Sequence, residues 1–231
     1  MSLAIARHRP FIEETFQLVS GALGAQQLVF YAVDRDSNLR DFVTQAVPRD
    51  MHERYQRRMF AFDPLHVRRI AGHERPLARW RDAAHYAPAE HVALYTRYLR
   101  RYAVVDALEL IFRDGPTIVA GLNVAWTEHD RRPTQAKVTL ARQLQRYVEF
   151  CLNSRLRNAR KDWLESARAL GLTPRESEIA QLVCQGHTNH AIATCLDIGT
   201  STVKSHLLRI FEKCQVDSRA GLVGRLSDAS C

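Results

Sequence analysis

The residues best placed to do chemistry lie in one stretch near the C-terminus, Thr200 to Lys213. On a helical wheel Val203, Leu207, Ile210 and Cys214 fall within about 60° of one another. The other side carries Ser201, Thr202, Lys204, Ser205, Arg209, Glu212 and Lys213. The chemistry this suits is recognition. A ridge of hydroxyls and cations fits the DNA major groove, where such groups reach base edges and phosphates. Bond-breaking chemistry finds less support. The chain has no nucleophile elbow, phosphate loop or metal-ligand spacing in its first 160 residues, and His85, His91 and His129 are scattered. Cys184, His187, His190 and Cys195 could each ligate zinc. Ala191, Ile192, Ala193 and Leu196 run through them at helical spacing, however, and a zinc knuckle would bend that helix. No catalytic residue, metal or cofactor is expected.

A ridge reads DNA only if other elements hold it out. Thr173-Pro174-Arg175-Glu176 is a helix start, with Thr173 and Glu176 spaced as a capping box. Ile179, Leu182 and Val183 form its apolar stripe, and Gly186 ends it. Thr188 caps a second helix that closes near Leu196. Asp197-Ile198-Gly199 is a tight turn anchored by Ile198. The third helix follows, then a short fourth from Asp217 or Ser218 using Leu222, Val223 and Leu226.

Net charge bears on partners. The 231 residues carry a formal +8, which favours a polyanion. Residues 171–231 hold six basic side chains (Arg175, Lys204, Arg209, Lys213, Arg219, Arg225) and six acidic ones (Glu176, Glu178, Asp197, Glu212, Asp217, Asp228), so the excess lies upstream. That balance leaves a second reading open, a helical module that docks on a protein partner. Salt dependence separates the two, since counterion release makes DNA binding weaken steeply with salt. The five cysteines (Cys151, Cys184, Cys195, Cys214, Cys231) are odd in number and form no disulfide framework. No apolar run reaches membrane-span length, and Arg7-His8-Arg9-Pro10 does not open a secretory signal. The expectation is a cytoplasmic, nucleoid-associated protein.

Upstream, Pro10 to Leu23 reads as an amphipathic helix capped by Gly24, and Gln27 to Val33 as a strand. Asp34 to Asn38 is a turn and Leu39 to Val47 a returning strand. Pro48 opens a helix expected to run through Phe62, stopped by Asp63-Pro64. A short helix over Leu65 to Ala71 precedes an irregular stretch from His73 to Ala83. Pro88 to Tyr102 is a helix with Leu94, Tyr95, Tyr98 and Leu99 inward. Val105 to Phe112 and Thr117 to Trp126 are strands of a hairpin around Arg113-Asp114-Gly115-Pro116. Pro133 to Arg157 is a long helix with Val138, Ala141, Leu144, Val148 and Leu152 on its stripe. This order implies an α+β chain: an α/β/α sandwich with an antiparallel sheet, then an all-α four-helix unit. The expected domains are 1–157 and 171–231, with 158–170 a charged, partly helical linker. A sandwich of this kind can enclose a pocket between its sheet and one helical layer.

The C-terminal unit resembles the DNA-binding domain of LuxR-type bacterial regulators. The matching residues are Leu172 to Glu176, Gly186, Asn189, Ile192-Ala193, Leu196, Ile198, Thr202-Val203-Lys204, His206, Ile210, Lys213 and Arg219. Gly199 stands where the family usually has serine, and Ala191 where it usually has glutamate. The resemblance implies DNA contacts from Thr188, Asn189, Thr200, Ser201, Thr202, Lys204, Ser205, His206, Arg209 and Lys213. It also implies double-stranded DNA as partner and a homodimer to which the fourth helix contributes. The first half is not like a phosphorylation receiver, which begins with a strand followed by paired acids. Its layout is similar to the GAF-like, autoinducer-binding class. There Asp63-Pro64 matches an Asp-Pro pair whose aspartate takes the amide N–H of an acyl-homoserine lactone. Tyr55 and Trp80 fall near the matching tyrosine and tryptophan, while Met51 replaces a second tryptophan. Tyr55, Asp63 and Trp80 are therefore the ligand-binding candidates. Three cases stay open: a lactone, another small molecule, or no small ligand and control by a protein partner.

Overall fold

The computed structural model describes residues 5–34, 36–72 and 75–228. Arg35, His73 and Cys231, which belong to the expected turn, the irregular stretch and the cysteine count, lie outside the described residues. The chain forms two compact units that divide between Asn153 and Ser154.

The first unit is built on a five-stranded antiparallel sheet of order β2-β1-β5-β4-β3. Its elements are α1 (Ile5–Leu23), β1 (Gln27–Val33), β2 (Leu39–Gln45), α2 (Arg49–Arg57), α3 (Val67–Ile70), β3 (Leu77–Arg79), α4 (Ala89–Arg101), β4 (Val104–Asp114), β5 (Thr117–Thr127) and the start of α5 (Gln135–Ala169). Alternation along the strands separates two faces. Leu28, Phe30, Leu108, Leu110, Leu122 and Val124 point to one face and are buried. Helices α1 and α5 cover that face with Ile12, Phe16, Val19, Val138, Ala141 and Val148. The Trp126 indole donates to the Leu23 carbonyl at 3.4 Å, and Gln145 Nε2 donates to the Ile111 carbonyl at 2.6 Å. Val29, Tyr31, Ala107, Glu109, Asn123 and Ala125 point to the other face. There α2 and α4 supply Met51, Tyr95, Tyr98 and Leu99.

Some boundaries differ from the sequence reading. Helix α1 starts at Ile5, with Pro10 inside it, instead of at Pro10. The helix expected through Phe62 breaks at Arg58 (φ −143°) and resumes as a 3-10 turn over Met59–Phe62. That break brings Asp63 back onto Tyr55, eight residues earlier. The stretch expected to be irregular contains β3, three residues too short to show alternation, and a 3-10 turn over Trp80–His85. Leu144, expected on the α5 stripe, is half-buried; its neighbour Gln145 is buried in its place. Residues 158–169, expected as a partly helical linker, continue α5 without a break. Trp163 and Ala167 pack into the core of the second unit while Arg160, Lys161, Asp162, Glu165 and Arg168 are exposed.

In the second unit that end of α5 is followed by α6 (Pro174–Cys184), α7 (Asn189–Leu196), α8 (Thr200–Cys214) and α9 (Arg219–Asp228). The Thr173–Glu176 capping box is formed in both directions. Gly186 takes φ +83°, as a helix-ending glycine does. Val203, Leu207, Ile210 and Cys214 are all buried, packed with Ile179, Val183, Ile192, Leu222 and Leu226. Glu176 does a second job. Its buried carboxylate receives Lys213 Nζ at 2.6 Å, tying α8 to the start of α6. Burial opposes its charge, but the Lys213 ammonium and the Thr173 groups hold its pKa below the usual carboxylate range.

Two changes test this positioning. On β5, a Cβ at Gly121 would sit 2.3 Å from Cζ and Oη of Tyr31, its cross-strand neighbour. Gly121→Ala should therefore lower unfolding free energy by about 1–3 kcal/mol in urea titration, the usual overpacking cost. Glu176→Ala should cost about 1–3 kcal/mol through the lost cap and the stranded Lys213. Because the folded pKa is depressed, this contribution is present above the unfolded carboxylate pKa and lost as pH falls through the folded one. Thermal melts of wild type and Glu176→Ala should thus converge in acid.

Candidate nucleic-acid interface and ligand cavity

Helix α8 turns its polar side to solvent. Ser201, Thr202, Lys204, Ser205 and Arg209 are exposed, as is Thr200 at the first helical position. Lys204 and Arg209 make no hydrogen bond or ion pair among the described residues, so both cations are available to an anion. Leu208 stands on the same side at 70% exposure, an apolar group the sequence reading passed over. Its only signal was its place between two stripe positions, Leu207 and Ile210.

Other basic residues of this unit are engaged. Arg175 Nη2 donates to the Leu196 carbonyl at 3.0 Å, and Arg219 Nη2 donates to the Val183 carbonyl at 3.3 Å and to the His187 carbonyl. These two arginines clamp α6 to α7 and α9 to the turn between them. Lys213, expected on the ridge, points its ammonium to Glu176 instead. His206 is half-buried, with Nδ1 shielded and unpartnered among the described residues. Thr188 caps α7 by accepting the Ala191 N–H at 3.2 Å, and Asn189 is half-buried beside it. Gly199 caps α8 with no side-chain bond, and Ala191 returns none to Thr188, which are the two departures from the family pattern. Cys184 ends α6, whereas His190 and Cys195 lie on α7; among the described residues no three His, Cys, Asp or Glu are gathered as for a metal.

Between its sheet and α2 and α4 the first unit holds a cavity that is partly open to solvent. Tyr55, Asp63 and Trp80 all line it, as does Met51. Tyr55 Oη donates to Asp63 Oδ2 at 3.0 Å and the Leu65 amide donates to Oδ1 at 2.9 Å. Burial raises the Asp63 pKa to about 6, against the Leu65 amide, Tyr55, Tyr95 and the charge of Arg69. Trp80 and Tyr95 rings lie 5.7 Å apart, and Tyr95 and Tyr98 5.2 Å. Tyr98 Oη donates to the Met51 carbonyl at 2.9 Å, fixing that phenol.

A second acid completes the cavity. Glu109 sits mid-strand on β4, 3% exposed, opposite Asn123 on β5. It accepts from Tyr31 Oη at 2.7 Å and Asn123 Nδ2 at 2.9 Å. Burial raises its pKa to about 8, with the charge of Asp63 adding to the rise. The sequence reading placed the strand but missed the residue. A carboxyl between Leu108 and Leu110 was the available signal, because alternation puts it on the face opposite those leucines.

Residues 170–225 match the family described as "Bacterial regulatory proteins, luxR family". The "Monoamine regulon transcriptional regulator" of Klebsiella aerogenes is 27% identical over 232 residues, covering 96% of this chain and 93% of that one. The tetrathionate response regulatory protein TtrR of Salmonella typhimurium is 44% identical over 54 residues, 23% of this chain and 26% of its own length. Among solved structures, Escherichia coli SdiA is similar with a TM-score of 0.48 and 17% identity, over 99% of this chain and 92% of that one. The unit that carries α8 is a helix-turn-helix domain of the luxR family of bacterial regulatory proteins.

Proposed function

We propose that the chain is a ligand-responsive transcription regulator. In this reading α8 enters the major groove, with Lys204 and Arg209 on phosphates or base edges and Thr200, Ser201, Thr202 and Ser205 as hydrogen-bonding groups. Leu208 suits an apolar contact such as a thymine methyl. Two copies act as a homodimer on half-sites about one helical turn apart. Since Leu222 and Leu226 are buried in their own unit, a dimer contact from α9 would fall to Val223 and the exposed side chains around it. The chain works at the bacterial chromosome and catalyses no reaction.

The observation that carries the reading is α8 itself, buried on one side and cationic on the other. The relative that aligns over 96% of the chain is named as a transcriptional regulator, which supports a regulatory role for both units. The cavity supports control by a small molecule over control by a protein partner, which would need no enclosed space. An acyl-homoserine lactone would present its amide N–H to Asp63. Any ligand acts by binding the DNA-competent and incompetent arrangements with different affinity.

The test is a gel shift on DNA selected by the full chain from a random pool. Lys204→Ala and Arg209→Ala should each weaken binding about tenfold or more, with circular dichroism unchanged. Wild-type affinity should fall steeply with salt. Unchanged affinity in both folded variants would remove α8 as the reader.

A further inference from the structure

The cavity holds more acids than strong bases. Asp63 and Glu109 both face it, and no lysine or arginine is among its lining residues. Arg69 acts electrostatically on Asp63 without lining the space. His52 and His66 do line it. Burial lowers both imidazole pKa values, that of His66 to about 4 with help from Arg68 and Arg69, so neither supplies a cation at neutral pH. Around the acids stand the rings of Tyr31, Tyr55, Trp80, Tyr95 and Tyr98. Burial raises the phenol pKa values, so these tyrosines stay neutral and their faces remain electron-rich.

Buried acids beside aromatic faces are complementary to an organic cation. A neutral amide answers Asp63 with one N–H and leaves Glu109 as it was. Each Glu109 oxygen accepts one bond, from Tyr31 or Asn123, and retains capacity for a further donor. Without a cation Glu109 keeps its proton at pH 7; a cation beside it would drive that proton off to solvent.

We propose that the cavity takes an organic ammonium ion carrying an apolar ring, with the ammonium between the carboxyls of Asp63 and Glu109 and the ring against Trp80, Tyr95 and Leu99. The inference rests on reading the cavity as a ligand site and names the ligand class. A primary ammonium has three N–H donors, enough to bond both carboxyls at once. Met51, Leu65 and Leu99 line the same space and give the ring apolar neighbours.

The experiment uses the full chain with three probes: 2-phenylethylamine, its alcohol 2-phenylethanol, and N-hexanoyl homoserine lactone. Thermal shift and titration calorimetry should show the amine binding at least tenfold tighter than the alcohol, with a raised melting point. At pH 7 amine binding should release a proton, so its apparent heat should change with the ionisation enthalpy of the buffer. Glu109→Gln should weaken the amine at least tenfold and leave the alcohol unchanged. If that variant fails to fold, the amine–alcohol ratio and the proton count in wild type decide the matter. Equal binding of amine and alcohol overturns the inference, as does amine binding without proton release. Lactone binding without amine binding overturns the ammonium and keeps the ligand site. Absence of binding by all three also overturns it, while the gel shift reports separately on the regulator.

Discussion

A carboxylate taken out of water must find a cation, enough hydrogen-bond donors, or a proton. The first unit is arranged around two carboxyls that meet this demand differently. Asp63 has the Leu65 amide and the Tyr55 hydroxyl, with Arg69 near enough to be felt. Glu109 has one phenol and one amide, and holds a proton to a higher pH. Other features follow from keeping these groups in place. Gly121 lacks a side chain so that Tyr31 can lie across β5 and reach Glu109. The break at Arg58 returns Asp63 to Tyr55. Helices α2 and α4 stand over the sheet, and the space beneath them is lined by rings.

The second unit solves an opposite problem, which is to keep one side of a helix wet. Helix α8 buries Val203, Leu207, Ile210 and Cys214, and that burial fixes its rotation. Its last turn is held by Lys213 on Glu176, a carboxylate that also caps α6. The unit therefore uses one of its few cations for architecture. Arg175 and Arg219 are likewise occupied with backbone carbonyls. The neutral overall charge of residues 171–231 is consistent with this division, because affinity for DNA depends on where the remaining cations point. Lys204 and Arg209 point outward on α8.

Much of this was legible in the sequence where the signals are local. The capping box at Thr173, the Gly186 helix end, the apolar stripe of α8 and the β4–β5 hairpin follow from spacing and turn chemistry. They needed no knowledge of tertiary partners. The strands β1, β4 and β5 were legible for the same reason. What escaped the reading depends on groups distant in sequence. Lys213 looked like part of the ridge because Glu176 is 37 residues away. Trp163 and Ala167 were hidden in a run of charges that all face outward. Residues on β3 were too few to show a pattern. Glu109 was visible as an acid in an apolar strand, yet its meaning required knowing which face held the cavity. Tyr55, Asp63 and Trp80 came from resemblance, and the structure brings all three to one space.

The cavity is built around two acids in an environment that resists charge. The most direct measurement is a carbon NMR titration of the Asp63 and Glu109 carboxyls in the full chain without added ligand. Glu109 should titrate near pH 8 and Asp63 near pH 6, well apart from the surface acids. Both carboxyls titrating with the surface acids near pH 4 would contradict it.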